Sequence, residues 1–250
     1  MRIKTYKVGQ VARAASIFRV DEIIIYKTPE RDDSKFISTV LRYAETPQYL
    51  RKEIFPMQDD LRHIGVIPPL RTPSHIVTDE EEYREGIVTK VGTDGNAWVD
   101  VGSDSPAMLR DAKGVRKGQR VTVRIYSRRP LTVKLVERSD VPHYWGYEVR
   151  ILDTLHDAME TEGLRIATSR LGKTLTCEML SEIRSKARDK VTIAFGSPSR
   201  GLEQLLHDEG HKLEDHSDYV VNSIPHQGTA TVRSEEAIYI TLGTLNLTWA

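Results

Sequence analysis

The sequence has a single cysteine, Cys177, so the chain cannot form an intramolecular disulfide. We therefore expect a reducing, cytoplasmic environment, and we expect Cys177 to be a small buried hydrophobic residue. No apolar run is long enough to span a bilayer, and no hydrophobic signal segment follows the basic opening MRIKTYKVGQ, so no membrane partner is expected. A length of 250 residues suits one large domain or a domain with an insertion.

The sequence also lacks a net charge, since 36 Lys and Arg residues balance 36 Asp and Glu residues. The charges are unevenly distributed, however. Residues 110–138 contain ten basic and two acidic side chains, which leaves the remainder of the chain acidic. A local basic segment of this kind indicates a nucleic-acid surface that the net charge conceals. An ordinary solvated surface is the alternative, because lysine and arginine are usually exposed.

The basic segment lies in a run of short predicted strands. An Asp-Gly hairpin signal at 94–95 joins the first two strands, and apolar and polar residues alternate strictly over 121–126. Five short strands predict a small all-β barrel of the OB type over residues 79–139. Trp98 and Tyr126 are candidate stacking platforms for bases. The side chains expected to bind RNA are Lys117, Arg120, Arg124, Arg128 and Arg129.

The segments on either side of the barrel alternate between helices and apolar strands. Strands are predicted at 21–26, 164–168, 190–195 and 219–221, and helices at 9–20, 34–46, 147–163, 174–188 and from 234 onwards. Buried strands that alternate with helices imply one parallel sheet in an α/β fold. We therefore expect one discontinuous domain, formed by residues 1–78 and 140–250 and interrupted by the barrel.

Three of these strands end in loops rich in glycine, hydroxyl and amide side chains. The loops are SRLGKT (169–174), GSPSRGL (196–202) and NSIPHQGTATVRS (222–234). Ligands of parallel α/β sheets bind where such loops meet, beyond the carboxyl ends of the strands. The composition of the loops indicates a small ligand with polar edges.

Three motifs resemble those of the SPOUT-class, or α/β-knot, RNA methyltransferases: GQVARAASIF (9–18), AFGSPSRGL (194–202) and NSIPHQGTATVRSEEA (222–237). The segments GVIPPLRTPSH (65–75) and YWGYEV (144–149), with the inserted barrel, are similar to an archaeal and eukaryotic subfamily described as RNA uridine N3-methyltransferases. This resemblance implies a knotted C-terminal half, S-adenosylmethionine as the cofactor, N3 methylation of a uridine in structured RNA, and a homodimer. It also implies a further strand ahead of KTYKVGQVARAA.

The resemblance implies specific roles for residues of the three motifs. The implied cofactor-binding residues are Thr168, Ser169, Phe195, Gly196, Ser197, Gly201, Asn222, Ser223, Ile224, Pro225, Gly228, Thr229 and Thr231. The resemblance implies a catalytic role for Arg13, and Arg233, beside the cofactor loop, is the second candidate catalytic residue. Guanidinium groups could stabilise the negative charge that develops on the uracil carbonyls when N3 loses its proton. The chain departs from the usual pattern in having Pro198, where many SPOUT enzymes have glutamate, and in having Arg233 near a position of asparagine or serine.

Two other functions remain open: a non-catalytic RNA-binding or assembly protein on the same scaffold, and a protein methyltransferase. HDEGH (207–211) places His207 and His211 four residues apart, but Gly210 interrupts a helix there, so we expect no metal site. YWGY (144–147) is expected to form a packed corner between the domains. One face of the terminal helix is a candidate dimer contact or part of the core: Ala237, Ile238, Thr241, Leu242 and Leu245.

Overall fold

The computed structural model describes residues 1–29, 32–78, 80–110, 112–188, 190–197 and 199–248. The helices are α1 (Arg2–Ile17), α2 (Ser34–Glu45), α3 (Arg51–Ile54), α4 (Leu155–Met159), α5 (Cys177–Lys186), α6 (Leu202–Asp208) and α7 (Ser234–Asn246). The strands are β1 (Glu22–Tyr26), β2 (Tyr83–Val91), β3 (Ala97–Asp100), β4 (Ala107–Leu109), β5 (Arg120–Arg128), β6 (Leu131–Leu135), β7 (Glu148–Leu152), β8 (Leu164–Thr174), β9 (Val191–Ala194) and β10 (Tyr219–Asn222).

Strands β2 to β6 close into a five-stranded barrel in the order β2-β3-β4-β6-β5. All pairs are antiparallel except β4 with β6. The predicted alternation along β5 is confirmed, because Val121 and Val123 are buried in the barrel while Arg124 and Tyr126 are exposed. The barrel strands lie between residues 83 and 135, within the range predicted for the insertion; residue 79, at its predicted start, lies outside the described residues.

The remaining strands form two parallel sheets rather than the single sheet that we predicted. One contains β1 and β7, and the other has the order β10-β8-β9. Helices α1 and α2 cover the first sheet and bury Ala12 and Leu41 against Ile25 and Val149. In the second sheet, α6 packs on the side of Ala167 and Ala194. No described helix is long and apolar enough to cross a bilayer.

A cavity of about 2090 Å³ lies between the two sheets, and its lining includes β1 of one sheet and β9 of the other. Side chains bridge it at both ends. Lys190 Nζ lies 3.8 Å from Glu22 Oε2 at the amino ends of the strands, and the Tyr26 hydroxyl donates to the Phe195 carbonyl at 2.8 Å beyond their carboxyl ends.

Two local predictions are wrong. Residues 147–163 do not form one helix, because β7 pairs in parallel with β1, with Val149 opposite Ile23. Thr154 then caps the short helix α4 by accepting a hydrogen bond from Asp157 N at 3.0 Å. Cys177 is exposed at the start of α5 rather than buried. Helix α1 also begins earlier than predicted, whereas the starts of α2 and α7 agree with the sequence pattern.

A buried ion-pair cluster joins the barrel to the α/β part of the chain. Arg120 Nε donates to Glu85 Oε2 at 2.5 Å, and Arg120 Nη1 donates to Glu45 Oε2 at 2.7 Å. Arg138 Nη2 donates to Glu45 Oε1 at 2.9 Å, and the Trp145 indole donates to Glu85 Oε1 at 2.6 Å. The YWGY segment is thus the packed corner that the sequence predicted.

Candidate active site

Two of the predicted ligand loops follow the parallel strands β9 and β10 of the β10-β8-β9 sheet, so they begin at the carboxyl ends of these strands. The prediction that SRLGKT (169–174) is a loop after a strand is wrong, because β8 continues to Thr174. Two side-chain bonds hold the loops together. The Thr168 hydroxyl donates to the Ala194 carbonyl at 2.8 Å, and Asn222 Nδ2 donates to the Arg170 carbonyl at 3.0 Å. The residues that were widely separated in the sequence therefore form one continuous surface.

The loop after β9 is a tight turn. The Ser197 hydroxyl accepts from Arg200 N at 3.0 Å, and Gly201 caps α6. A Cβ added to Gly196 would lie only 2.9 Å from the Arg200 carbonyl oxygen, so the turn requires glycine there. Pro198 lies outside the described residues. Burial raises the pKa of Tyr26, whose hydroxyl therefore stays a neutral donor to the Phe195 carbonyl.

The loop after β10 is ordered at its start by side chains that bond to its own backbone. Asn222 Oδ1 accepts from Ile224 N at 2.9 Å, and the Ser223 hydroxyl lies 2.7 Å from the Thr241 hydroxyl on α7. Pro225, which follows, is exposed. The strand end and α7 therefore fix where the loop leaves the sheet.

The middle of the same loop is exposed and folded on itself. Gln227 Nε2 donates to the Thr229 carbonyl at 2.9 Å, and the Thr229 hydroxyl donates to the Thr231 carbonyl at 3.0 Å. Gly228 is exposed, and a Cβ there would meet no atom within 4 Å. Because these polar groups bond within the loop, the loop has a defined shape while remaining open to solvent.

The structure adds Arg170, which the sequence analysis missed, to this surface. Residues 168–172 of β8 bulge outward between two paired segments, since Val220 is opposite Ala167 but Val221 is opposite Lys173. Gly172 permits this path, because a Cβ there would lie 2.8 Å from the Val220 carbonyl oxygen. Arg170 Nη1 then donates to the Ala230 carbonyl at 3.3 Å. Ser169 is in the same bulge and its hydroxyl accepts from Leu171 N at 3.2 Å.

One end of the cavity between the two sheets is bordered by these loops. Its lining there includes Phe195, Gly196, Ser197, Thr231 and Arg233. These residues offer backbone amides, hydroxyls and one guanidinium to a ligand. Such groups suit a small ligand with polar edges, because a few placed polar groups orient a ligand in a pocket.

The two predicted catalytic arginines are placed differently. Arg233 lines the cavity and caps α7, and its backbone N–H donates to Glu236 Oε2 at 3.0 Å. Arg13 lies outside the described lining of that cavity. Its Nη1 donates to the Leu70 carbonyl at 2.6 Å and to the Pro69 carbonyl at 3.4 Å. Arg13 therefore tethers segment 65–75 to α1, and of the two arginines only Arg233 borders the loops.

The barrel presents an exposed basic and aromatic face along β5. Arg124 Nε donates to Glu82 Oε1 at 2.7 Å, and Arg128 Nη2 donates to the Glu81 carbonyl at 2.9 Å. Tyr126 is 70% exposed, and Lys134 Nζ lies 4.3 Å from its ring centroid. Lys117 and Arg129 are exposed in the turns at either end of the strand, whereas Trp98 is half-buried.

The prediction that Arg120 belongs to the open RNA surface is wrong. Its guanidinium is enclosed by the carboxylates of Glu45 and Glu85, whose side chains are only 5% and 2% exposed. Strand alternation gave the correct outward direction for Arg120. The α/β part of the chain, however, covers the barrel at that position.

The sequence is similar to one protein family and to individual proteins of several organisms. The sequence model of a family described as "Putative RNA methyltransferase" matches residues 1–245. An uncharacterized protein of Halobacterium salinarum is 42% identical over 271 aligned residues, covering 99% of this chain and 93% of the relative. Proteins named 28S rRNA (uridine-N(3))-methyltransferase are 33% identical in Homo sapiens and 32% identical in Mus musculus. Both alignments cover 97% of this chain, with 73% of the human and 71% of the mouse protein.

Proposed function

Because the chain belongs to this family of RNA methyltransferases, we propose that it transfers a methyl group from S-adenosylmethionine to N3 of a uridine in ribosomal RNA. The family confirms the predicted class of enzyme. The observation that carries the specific reaction is that the alignments with the human and mouse uridine-N3 enzymes cover 97% of this chain.

A methyl-transfer assay tests this proposal. Purified protein is incubated with methyl-labelled S-adenosylmethionine and ribosomal RNA, and label is then measured separately in RNA and in polypeptide. We expect label in RNA. Label in polypeptide would favour a protein methyltransferase, and cofactor binding without transfer to any RNA would favour the non-catalytic alternative.

We also propose that the fold is a SPOUT α/β knot, with an OB-type barrel inserted between residues 1–78 and 140–250. The strand order and the one parallel pair of the closed barrel support the OB assignment.

The proposed mechanism depends mainly on alignment. The cofactor supplies an electrophilic methyl group, and the protein must place N3 in line with it and stabilise the charge of the deprotonated imide. The loops 195–201 and 222–233 would hold the cofactor through backbone amides and hydroxyls. Arg233 borders both the loops and the cavity, which supports the proposal that its guanidinium binds a uracil carbonyl without itself losing a proton.

Replacing Arg233 with Ala should lower the rate of methyl transfer at saturating cofactor by at least about tenfold, about 1.4 kcal/mol of barrier. Cofactor affinity should change little, because the side chain is proposed to bind the base. Arg13→Ala should have a similar effect on turnover. A loss of cofactor affinity with unchanged saturated turnover would contradict these roles.

Arg13 also donates a hydrogen bond to the Leu70 carbonyl, so Arg13→Ala could lower turnover by destabilising the fold. Melting curves of the variant and the wild type separate that effect from a catalytic one. Arg62→Ala, an exposed arginine outside both loops, is the matched control and should retain the rate of the wild type.

The exposed basic face of the barrel is proposed to bind RNA phosphates, with Tyr126 as a stacking platform. Changing Arg124, Arg128 and Arg129 together to Ser should raise the KM for RNA. It should also flatten the log–log dependence of affinity on salt by about 0.7 per lost contact on single strands. Cofactor binding should be unchanged. An unaltered salt slope with unaltered RNA affinity would show that these arginines are merely solvated.

We propose that the protein is a homodimer, although not through the whole face expected on α7. Thr241 and Leu245 of that face are fully buried within the protomer. The exposed apolar side chains on the packed pair of helices α1 and α7 are instead Ile3, Tyr6, Ile17 and Ile240. Sedimentation at micromolar concentration should give about twice the 28.4 kDa chain mass, and a single species of 28.4 kDa would reject the dimer.

A further inference from the structure

Three histidines from separate segments meet on the C-terminal half of the chain. His156 lies on α4, His211 follows α6 and His216 precedes β10. The ring centroids are 3.9 Å apart for His156 and His211, 4.8 Å for His156 and His216, and 5.1 Å for His211 and His216. One nitrogen from each ring lies within 4.8 Å of the other two. None of the three belongs to the proposed cofactor or RNA surfaces.

The backbone around this histidine cluster is firmly held. The carboxylate of Glu209 accepts hydrogen bonds from Leu155 N at 2.9 Å and from His156 N at 2.8 Å. His211 N donates to the Leu206 carbonyl at 2.8 Å. Because Glu209 ends α6 and caps the start of α4, the positions of His156 and His211 are fixed relative to each other.

A carboxylate fixes the orientation of the third ring. Glu160 Oε1 lies 2.9 Å from His216 Nδ1 and 4.0 Å from His156 Nε2. An ionised carboxylate only accepts, so in the neutral form of His216 this contact favours the tautomer with the proton on Nδ1, which leaves the lone pair of Nε2 for a ligand. The same carboxylate–histidine pairing orients metal ligands in known metal sites. The His216 side chain is only 12% exposed, which further limits its rotation.

We propose that His156, His211 and His216 bind one divalent transition-metal ion, and that zinc is the preferred ion. Imidazole donors select zinc, copper or nickel over magnesium or calcium. Zinc–nitrogen bonds of about 2.0–2.1 Å place tetrahedral ligands about 3.3 Å apart, so the nitrogens need to close by about 1.5 Å. The rings of His156 and His211 are stacked, with 20° between their planes, so metal binding requires one of these two side chains to rotate until both ring planes contain the ion. The bound ion would cross-link α4 with the segments that follow α6 and precede β10.

This site differs from the histidine pair that the sequence suggested and that we set aside. His207 is 86% exposed and lies 3.9 Å from Asp208, so it does not face the histidine cluster. His211, its predicted partner, turns toward His156 and His216 instead. The spacing of HDEGH was therefore uninformative, because the other two ligands come from distant parts of the chain.

Titration of chelator-treated, full-length protein with zinc chloride tests the proposal. We expect one zinc ion per chain, and a melting temperature about 5–10 °C higher at a free zinc concentration 100 times the Kd. His216→Ala should raise the Kd at least 100-fold, and His156→Asn should do the same. His207→Ala is the matched control, and its Kd should equal that of the wild type.

The proposal is overturned if wild-type protein shows no saturable binding at 1 mM zinc. It is also overturned if His207→Ala weakens binding as much as the cluster variants, or if binding is lost only with Cys177→Ser. Circular dichroism establishes that each variant is folded, and His211→Gln replaces any variant that is not. Cobalt substitution adds an independent readout, since an all-imidazole site gives visible absorption without a thiolate charge-transfer band.

Discussion

Replacing Arg120 with Ala should lower the free energy of unfolding by about 3–5 kcal/mol, the effect expected when one partner of a buried ion pair is removed. The substitution would leave the carboxylates of Glu45 and Glu85 buried, 5% and 2% exposed, without their shared guanidinium. Since these contacts join the barrel to the α/β part of the chain, the two parts should also lose their fixed orientation.

Urea denaturation followed by tryptophan fluorescence measures this effect, because the Trp145 indole donates to Glu85 in the same cluster. Arg124→Ala is the matched control. Arg124 is on the same strand as Arg120, but both side chains of its ion pair with Glu82 are about half exposed. Loss of this pair should therefore cost at most about 1 kcal/mol. Equal effects of the two substitutions would contradict the structural role assigned to Arg120.

The same cluster predicts how stability depends on pH. Burial alone would raise the pKa of Glu85, but the Arg120 guanidinium and the bonds from Thr122 and Trp145 hold it below its ordinary value. A lowered folded-state pKa stabilises the fold above the ordinary value of about 4.3, and that contribution is lost as the pH falls through the folded pKa. Stability should therefore fall below about pH 4, and less steeply in Glu85→Gln.

Gly196→Val should abolish measurable binding of S-adenosylmethionine, raising the Kd at least about 100-fold, or about 2.7 kcal/mol. A Cβ at Gly196 meets the Arg200 carbonyl oxygen at 2.9 Å and the Gly201 Cα at 3.3 Å. Both are backbone atoms of the proposed cofactor loop, so the loop itself must move to accommodate the side chain.

Calorimetry on folded protein measures that loss of binding. Gly65→Ala is the control, because a Cβ at Gly65 meets no atom within 4 Å and the residue lies outside the three loops. Unchanged cofactor affinity in Gly196→Val would mean that the cofactor does not bind at the loop after β9.

Local patterns predicted the parts of the fold that depend on local pairing. The barrel followed from strict alternation and an Asp-Gly turn, and its strands pair mostly with sequence neighbours. Residues 148–152 failed as a prediction because β7 gains its strand partner, β1, from more than a hundred residues earlier. No helix or strand period within the segment itself carries that information.

In the candidate site, too, features with a local sequence signal were predicted and features that depend on distant contacts were missed. Two of the three loops were predictable, since strand ends and small polar residues identified them, whereas residues 169–174 are part of β8. Arg120 was misassigned because its partners come from elsewhere: Glu45 is on α2 and Glu85 is on β2. Arg170 had no local sequence signal, because its contact with the Ala230 carbonyl depends on the bulge in β8.

The most direct test of the central claim is to identify the nucleoside that the protein makes. Ribosomal RNA lacking the modification is incubated with protein and S-adenosylmethionine, digested to nucleosides and analysed by mass spectrometry, and the position is mapped by primer extension. The account predicts N3-methyluridine at a defined position with wild-type protein and its loss with Gly196→Val. A different methylated nucleoside, or no methylated nucleoside with protein that binds the cofactor, would contradict it.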